Sequence, residues 1–192
     1  MTKTDAESQS LRTALGGGAG PGAGVDGAAL PEGFCGDIDM RIARDGTWFY
    51  QGTPIGRKPL VKLFSTILAR DGAGDYWLTT PVERARIQVE DAPFLAVEMR
   101  VEGAGEGQWL SFRTNVDDWI DAGPEHAITP RPRPESGELA PYLHVRGNLE
   151  ALIARAVYYD LVALGVEREV NGVAELGVWS GGVFLALAVG TG

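Results

Sequence analysis

The chain has 192 residues, with 17 Lys and Arg against 26 Asp and Glu, and a formal charge of −9. That length suits one domain or two small ones with a sizeable core, and 44% hydrophobic with 22% charged residues is a globular composition. The acid excess excludes a general polyanion binder, which needs a broad basic face, but not a small anion held in a local basic pocket.

Residues 1–15 lack the charged-then-apolar layout of a leader segment. The longest apolar run, 183–189, falls well short of the roughly 20 residues of a spanning helix. A single cysteine, Cys35, rules out an internal disulfide and a multi-cysteine zinc site. The expected compartment is the cytoplasm. Residues 1–33 are expected to form a flexible glycine-rich tail, with Gly16, Gly17, Gly18, Gly20, Gly22, Gly24 and Gly27 close together. They are not a phosphate loop, because no Lys-Ser or Lys-Thr pair follows them.

The folded part begins near Phe34. Ile38, Met40 and Ile42 alternate with Asp39 and Arg41, a strand period. Asp45-Gly46 marks a tight turn, and 47–50 returns as a second strand. From Pro59, the apolar residues Leu60, Leu63, Phe64, Ile67 and Leu68 predict a helix, ended by Asp71 to Gly74. Residues 76–79 and 86–90 read as strands, and Asp91-Ala92-Pro93 as a break.

A long hairpin follows, with strands at 95–101 and 109–112 around a glycine-rich turn at 103–107. Residues 121–141 are polar and proline-rich, with at most a short strand at 127–129, and 142–145 reads as another strand. Asn148 is a good N-cap for a second helix carrying Leu149, Leu152, Ile153, Ala156, Val157 and Leu164, with Gly165 at its end. Asn171-Gly172 and Gly181-Gly182 punctuate two closing strands, 173–179 and 183–188.

The two predicted helices overlay with one constant shift. Arg57 falls on Arg146, Leu60 on Leu149, Leu63 on Leu152, Phe64 on Ile153 and Leu68 on Val157. The repeated arginine favours a duplication over the usual likeness of amphipathic helices. The expected fold class is therefore α+β, with two related lobes at 34–92 and 93–192. Each lobe is a small antiparallel sheet packed on one helix. Neither has much core of its own, so a shared interface is expected.

Little catalytic chemistry is visible. No Gly-x-Ser-x-Gly elbow occurs, and His126 and His144 read as structural or surface residues. Cys35 reads as a small apolar residue at a domain edge. Asp37 and Asp39, and Asp117-Asp118, read as strand-edge or turn residues rather than metal ligands. Pro130-Arg131-Pro132-Arg133-Pro134 reads first as a stiff linker and second as an anion contact.

Three polar clusters are better candidates. Arg57-Lys58 stands at a helix start, where cations oppose the macrodipole. They suit either an ion pair across the lobes or a bound anion. Arg146 repeats the arrangement. Thr114-Asn115 with Asp117-Asp118, and Thr79-Thr80 with Glu83, are turn and cap chemistry that also suits a polar ligand. Tyr158 and Tyr159 read as core tyrosines with satisfied hydroxyls, or as a stacking surface for a base.

Several strings taken together resemble one bacterial family. They are Asp45 to Tyr50, Pro54-Ile55, Arg57, Leu60 to Phe64, Leu78 to Pro81, Val89 to Phe94, Thr114-Asn115, Pro141 to Leu143, Val145-Arg146, Tyr158-Tyr159 and Gly177 to Ser180. In order and coverage they resemble the proteobacterial family catalogued as domain of unknown function 1285. The resemblance implies a duplicated core and a C-terminal half superficially like a pleckstrin-homology fold. It also implies a nucleotide-like ligand between the domains and a role in signal transduction. It carries over no catalytic residue, and no cofactor is expected.

The leading expectation is a non-catalytic, cytoplasmic regulatory protein binding a small anionic, nucleotide-like ligand between its lobes. Arg57, Lys58 and Arg146 would supply charge; Thr79, Thr114 and Asn115 hydrogen bonds; Tyr158 or Tyr159 a stacking face. The alternative is a protein–protein adaptor without a small ligand, and the third reading a metal-dependent hydrolase. Nucleic-acid polymers and membranes are not expected partners, since the charge opposes docking on anionic lipid.

Overall fold

A computed structural model describes residues 35–81, 83–170 and 173–189. The expected tail and the Asn171-Gly172 turn lie outside the described residues. The described residues are mostly β, with two α-helices. It divides into two compact units, one containing 35–41 and 48–88, the other 42–47 and the chain from Val89 onward. No helix among the described residues is long and apolar enough to cross a membrane.

In the first unit, strands β1 (Cys35–Ile42), β2 (Trp48–Tyr50), β3 (Thr53–Pro54), β4 (Leu68–Arg70), β5 (Tyr76–Thr79) and β6 (Arg84–Val89) make one sheet in the order β3-β2-β1-β6-β5-β4. Helix α1 (Lys58–Thr66) lies between β3 and β4, with proline in its first turn where a missing N–H costs nothing. Its buried Phe64 stacks on Trp48, ring centroids 6.1 Å apart.

The predicted helix is too long at its C-terminal end. Ile67 caps α1, and Leu68 enters β4, facing Leu78 across the ladder. Apolar spacing that fits a helical face continued into a short strand, where pairing with β5 decided the conformation. The closing loop is organised by Asp71. Its Oδ1 accepts from the N–H groups of Ala73 and Asp75, and its Oδ2 from Trp77 Nε1 at 2.8 Å. The Trp77 bond, followed by these backbone donors, holds the Asp71 carboxyl below its ordinary range.

The second unit departs further from expectation. Strands β7 (Phe94–Glu102), β8 (Trp109–Thr114), β9 (Trp119–Ala122), β10 (Ile128–Pro132), β11 (Leu139–Arg146) and β12 (Leu149–Ile153) form a sheet in the order β10-β11-β12-β7-β8-β9. Strands β13 (Val166–Val170), β14 (Val173–Ser180) and β15 (Val183–Val189) form another. The unit thus has two sheets where one was expected. The larger is mixed rather than antiparallel, because β12 runs parallel to β7 with Leu152 opposite Leu95.

The expected second helix also begins too early. Residues 149–153 form the inner strand β12, and α2 covers Arg155–Ala163. A run buried almost throughout carries no period to separate helix from strand. Arg146 consequently ends a strand, whereas Arg57 caps a helix, so the arginine echo has no structural counterpart.

Phe94, Leu110, Phe112, Leu143, Ala151 and Leu161 fill the core of this unit. Ser180 ties its two sheets together: its buried hydroxyl donates to Ala122 O at 2.6 Å and accepts from Leu110 N at 2.9 Å. The proline–arginine run is not a linker but mostly edge strand β10, where residues without an amide donor are tolerated.

Candidate functional site

The second unit contains a cavity of about 280 Å³. Two turns and one strand end build it. Arg44 comes from the turn between β1 and β2, Glu90 and Asp91 from the approach to β7, and 133–136 with Glu138 from the hairpin joining β10 to β11. The alternation of Pro130, Pro132 and Pro134 keeps that segment extended, so Arg131 and Arg133 share a face.

Arg133 and Asp91 form the cavity's fixed floor. Both Nε and Nη2 of Arg133 approach Asp91 Oδ2 at 3.0 Å. The buried Tyr142 hydroxyl donates to Asp91 Oδ1 at 2.6 Å. The Asp91 side chain is only 2% exposed, so these charge-assisted bonds are what make its burial tolerable. Burial first, and then the Asp91 bond, push the Tyr142 hydroxyl well above the ordinary tyrosine range. Arg131 lies over the Tyr142 ring, 3.5 Å from its centroid, and pairs with Glu150 at 2.8 Å.

The mouth is different. Arg44 pairs with Glu135, and the two side chains are 42% and 68% exposed. The Glu135 carboxylate raises the pKa of the Arg44 guanidinium. The Arg44 backbone N–H donates to Glu90 Oε2 at 3.0 Å, which fixes where the side chain starts. Glu138 lines the same cavity. Its charge is felt at Arg155, the first residue of α2, whose Nε donates to the Tyr159 hydroxyl at 2.9 Å; that bond, more than Glu138, raises the pKa of Arg155. Tyr159 is 58% exposed. The wall thus offers two guanidinium groups and four carboxylates.

The residues singled out from sequence fall as follows. Arg57, Lys58 and Thr79 belong to the first unit and are exposed. Thr80 makes the expected turn with Glu83, its hydroxyl accepting from Glu83 N at 3.0 Å. The Glu83 carboxylate is buried with no hydrogen-bond partner among the described residues.

The other five lie in the second unit. Thr114 is buried and closes the β8–β9 turn through Asp118. Asn115 bridges backbone: its Oδ1 accepts from Leu95 N at 3.0 Å and its Nδ2 donates to Gly46 O at 3.3 Å. That bridge crowds Gly46, whose φ of +79° suits glycine, and an added Cβ would meet Asn115 Nδ2 at 2.6 Å. Arg146 is half-buried over the Phe94 ring. Tyr158 is half-buried and Tyr159 exposed, and none of the five lines the cavity.

His126 and His144 stack 5.7 Å apart and bond to backbone carbonyls. No group of three or more His, Cys, Asp or Glu among the described residues is arranged to hold a metal ion.

Sequence reading passed over Arg44, Glu90, Asp91, Glu135 and Glu138. One signal was available: alternating prolines hold Arg131 and Arg133 on one side of an extended chain, a presentation that suits carboxylates or phosphates.

Comparisons with known proteins agree in both halves. Residues 30–92 match the DUF1285 N-terminal domain, a domain of unknown function, and residues 93–187 match the C-terminal domain of the same family. The chain is similar to the crystal structure of a DUF1285 family protein from Silicibacter pomeroyi DSS-3. The identity is 50%, over 83% of this chain and 85% of that one, with a TM-score of 0.74. It is also similar to a DUF1285 family protein from Shewanella baltica OS155. Here the identity is 29%, over 66% of this chain and 91% of that one, with a TM-score of 0.50. No curated protein matches.

Proposed function

The chain belongs to the DUF1285 family, and on that premise we propose that it is a non-catalytic regulatory protein that binds a small anionic, nucleotide-like ligand in the cavity of its second unit. The observation that carries this reading is the Arg44 guanidinium, half exposed on a concave wall that Arg133, committed to Asp91, also lines. Planar guanidinium forks suit phosphate and carboxylate oxygens. The four carboxylates argue against a bare polyanion and favour a ligand that also presents N–H donors, as nucleobase edges do. A volume of about 280 Å³ lies just under the usual range of small-molecule sites, which suits one phosphate and part of a nucleoside. The exposed Tyr159 ring is a stacking surface for the base.

The finer features implied by the resemblance belong to the same proposal: a duplicated core, a pleckstrin-homology-like C-terminal half, a cytoplasmic location and a role in signalling. Their support is the family membership, and a pleckstrin-homology-like fold does not by itself imply phosphoinositide binding.

Thermal unfolding with nucleoside monophosphates and diphosphates tests the reading. A ligand at a hundred times its dissociation constant raises the midpoint by about 5–10 °C. Arg44→Gln removes most of that rise. No rise with any phosphorylated compound at millimolar concentration overturns the proposal. A second reading, a protein adaptor, draws on Trp109, which is half exposed on β8. Its mark is a partner lost with Trp109→Ala and indifferent to Arg44→Gln.

A further inference from the structure

We infer that Glu135 is an internal stand-in for the ligand, its carboxylate occupying the anion position at Arg44 and being displaced when a phosphate monoester binds. This rests on the cavity being a ligand site and adds how that site is kept closed to weak anions. Asp91 and Glu135 both reach arginines of the same cavity, but only Glu135 is free to leave. Asp91 is sealed by Arg133 and Tyr142. Glu135 is largely in solvent, and an exposed pair of this kind exchanges readily with a competitor.

Release needs no backbone movement. The hairpin carrying Glu135 is closed beneath it by Arg133 N to Glu138 O at 2.9 Å and Gly137 N to Arg133 O at 3.1 Å. Gly137 supplies the positive φ of +68° that this turn requires. The Glu135 side chain therefore swings out by rotation about its own bonds, while Arg44 stays anchored through its N–H to Glu90.

Displacement also selects the guest. A carboxylate brings one negative charge, the same as Glu135, and gains nothing by the exchange. A phosphate monoester carries a charge of about −1.5 to −2 at pH 7 and offers three acceptor oxygens to the guanidinium fork. The site therefore prefers phosphate monoesters to carboxylates. The preference fades as pH falls below about 6, where the phosphate loses its second charge.

Calorimetric titration of the full chain with inorganic phosphate, acetate and a purine nucleoside monophosphate tests this, using wild type, Glu135→Gln, Glu138→Gln and Arg44→Gln. Glu135→Gln is expected to bind phosphate about two- to fivefold tighter than wild type and to accept acetate better. Glu138→Gln changes charge equally on the same wall without vacating Arg44, so it should tighten binding less. Arg44→Gln should lose phosphate binding. Equal tightening by Glu135→Gln and Glu138→Gln, or none, while wild type still binds, overturns the displacement and leaves the ligand site standing. No binding by wild type or Glu135→Gln overturns both. The nucleoside arm separates free phosphate from a nucleotide: a base that adds affinity lost with Tyr159→Ala identifies a nucleotide as the guest.

Discussion

Two arginine–carboxylate pairs line one cavity and do opposite work. Arg133–Asp91 is enclosed, doubly contacted and braced by a tyrosine hydroxyl. Arg44–Glu135 stands in water at the rim. Both are guanidinium–carboxylate pairs, so the difference comes from surroundings. Where solvent is excluded, losing one partner strands a charge. Where solvent is present, water replaces the partner at little cost. A buried pair is framework, and an exposed pair is a contact that a ligand can take over.

The sharpest way to break this contrast is Asp91→Ala. It leaves Arg133 and the Tyr142 hydroxyl without their acceptor, and a loss of about 3 kcal/mol in unfolding free energy is expected by chemical denaturation. A loss comparable to that of a surface mutant would erase the distinction.

Tyr142→Phe comes next. It removes one bond to the carboxylate and keeps the ring beneath Arg131, with an expected cost of about 1.5 kcal/mol. The same hydroxyl sets an alkaline limit. Its folded pKa is raised, so the unfolded chain ionises first. Stability is then whole below about pH 10 and falls as pH rises further. Tyrosinate absorbance should show one of the five tyrosines resisting ionisation until unfolding, and Tyr142→Phe should abolish that lag.

The smallest effect is expected at the rim. Glu135→Ala should leave the unfolding midpoint unchanged within error, as scanning calorimetry will read. A drop approaching that of Tyr142→Phe would make the rim pair structural and remove the basis for displacement.

Local elements were largely legible in the sequence. Alternation at 38–42, Asp45-Gly46, and the hairpin across 95–112 each carry their own period or turn chemistry, and each is present. What failed depended on distant partners. Leu68 left a helical pattern for β4 because β5 pairs with it. Residues 149–153 became β12 because β11 and β7 flank them.

The cavity was less legible for the same reason. Arg44, Asp91 and Arg133 are far apart in sequence, and none belongs to a motif that would announce the others. Asn115 was visible as a polar turn residue, but its work, spanning Leu95 and Gly46, needs the folded chain.

Strand β10 has one more consequence. It is the outermost strand of its sheet, and Pro130 and Pro132 bring no amide donors to that border. The neighbour packed along β10 is β15, which belongs to the other sheet. The residues that hold Arg133 in place thus also keep two adjoining sheets from zipping into one.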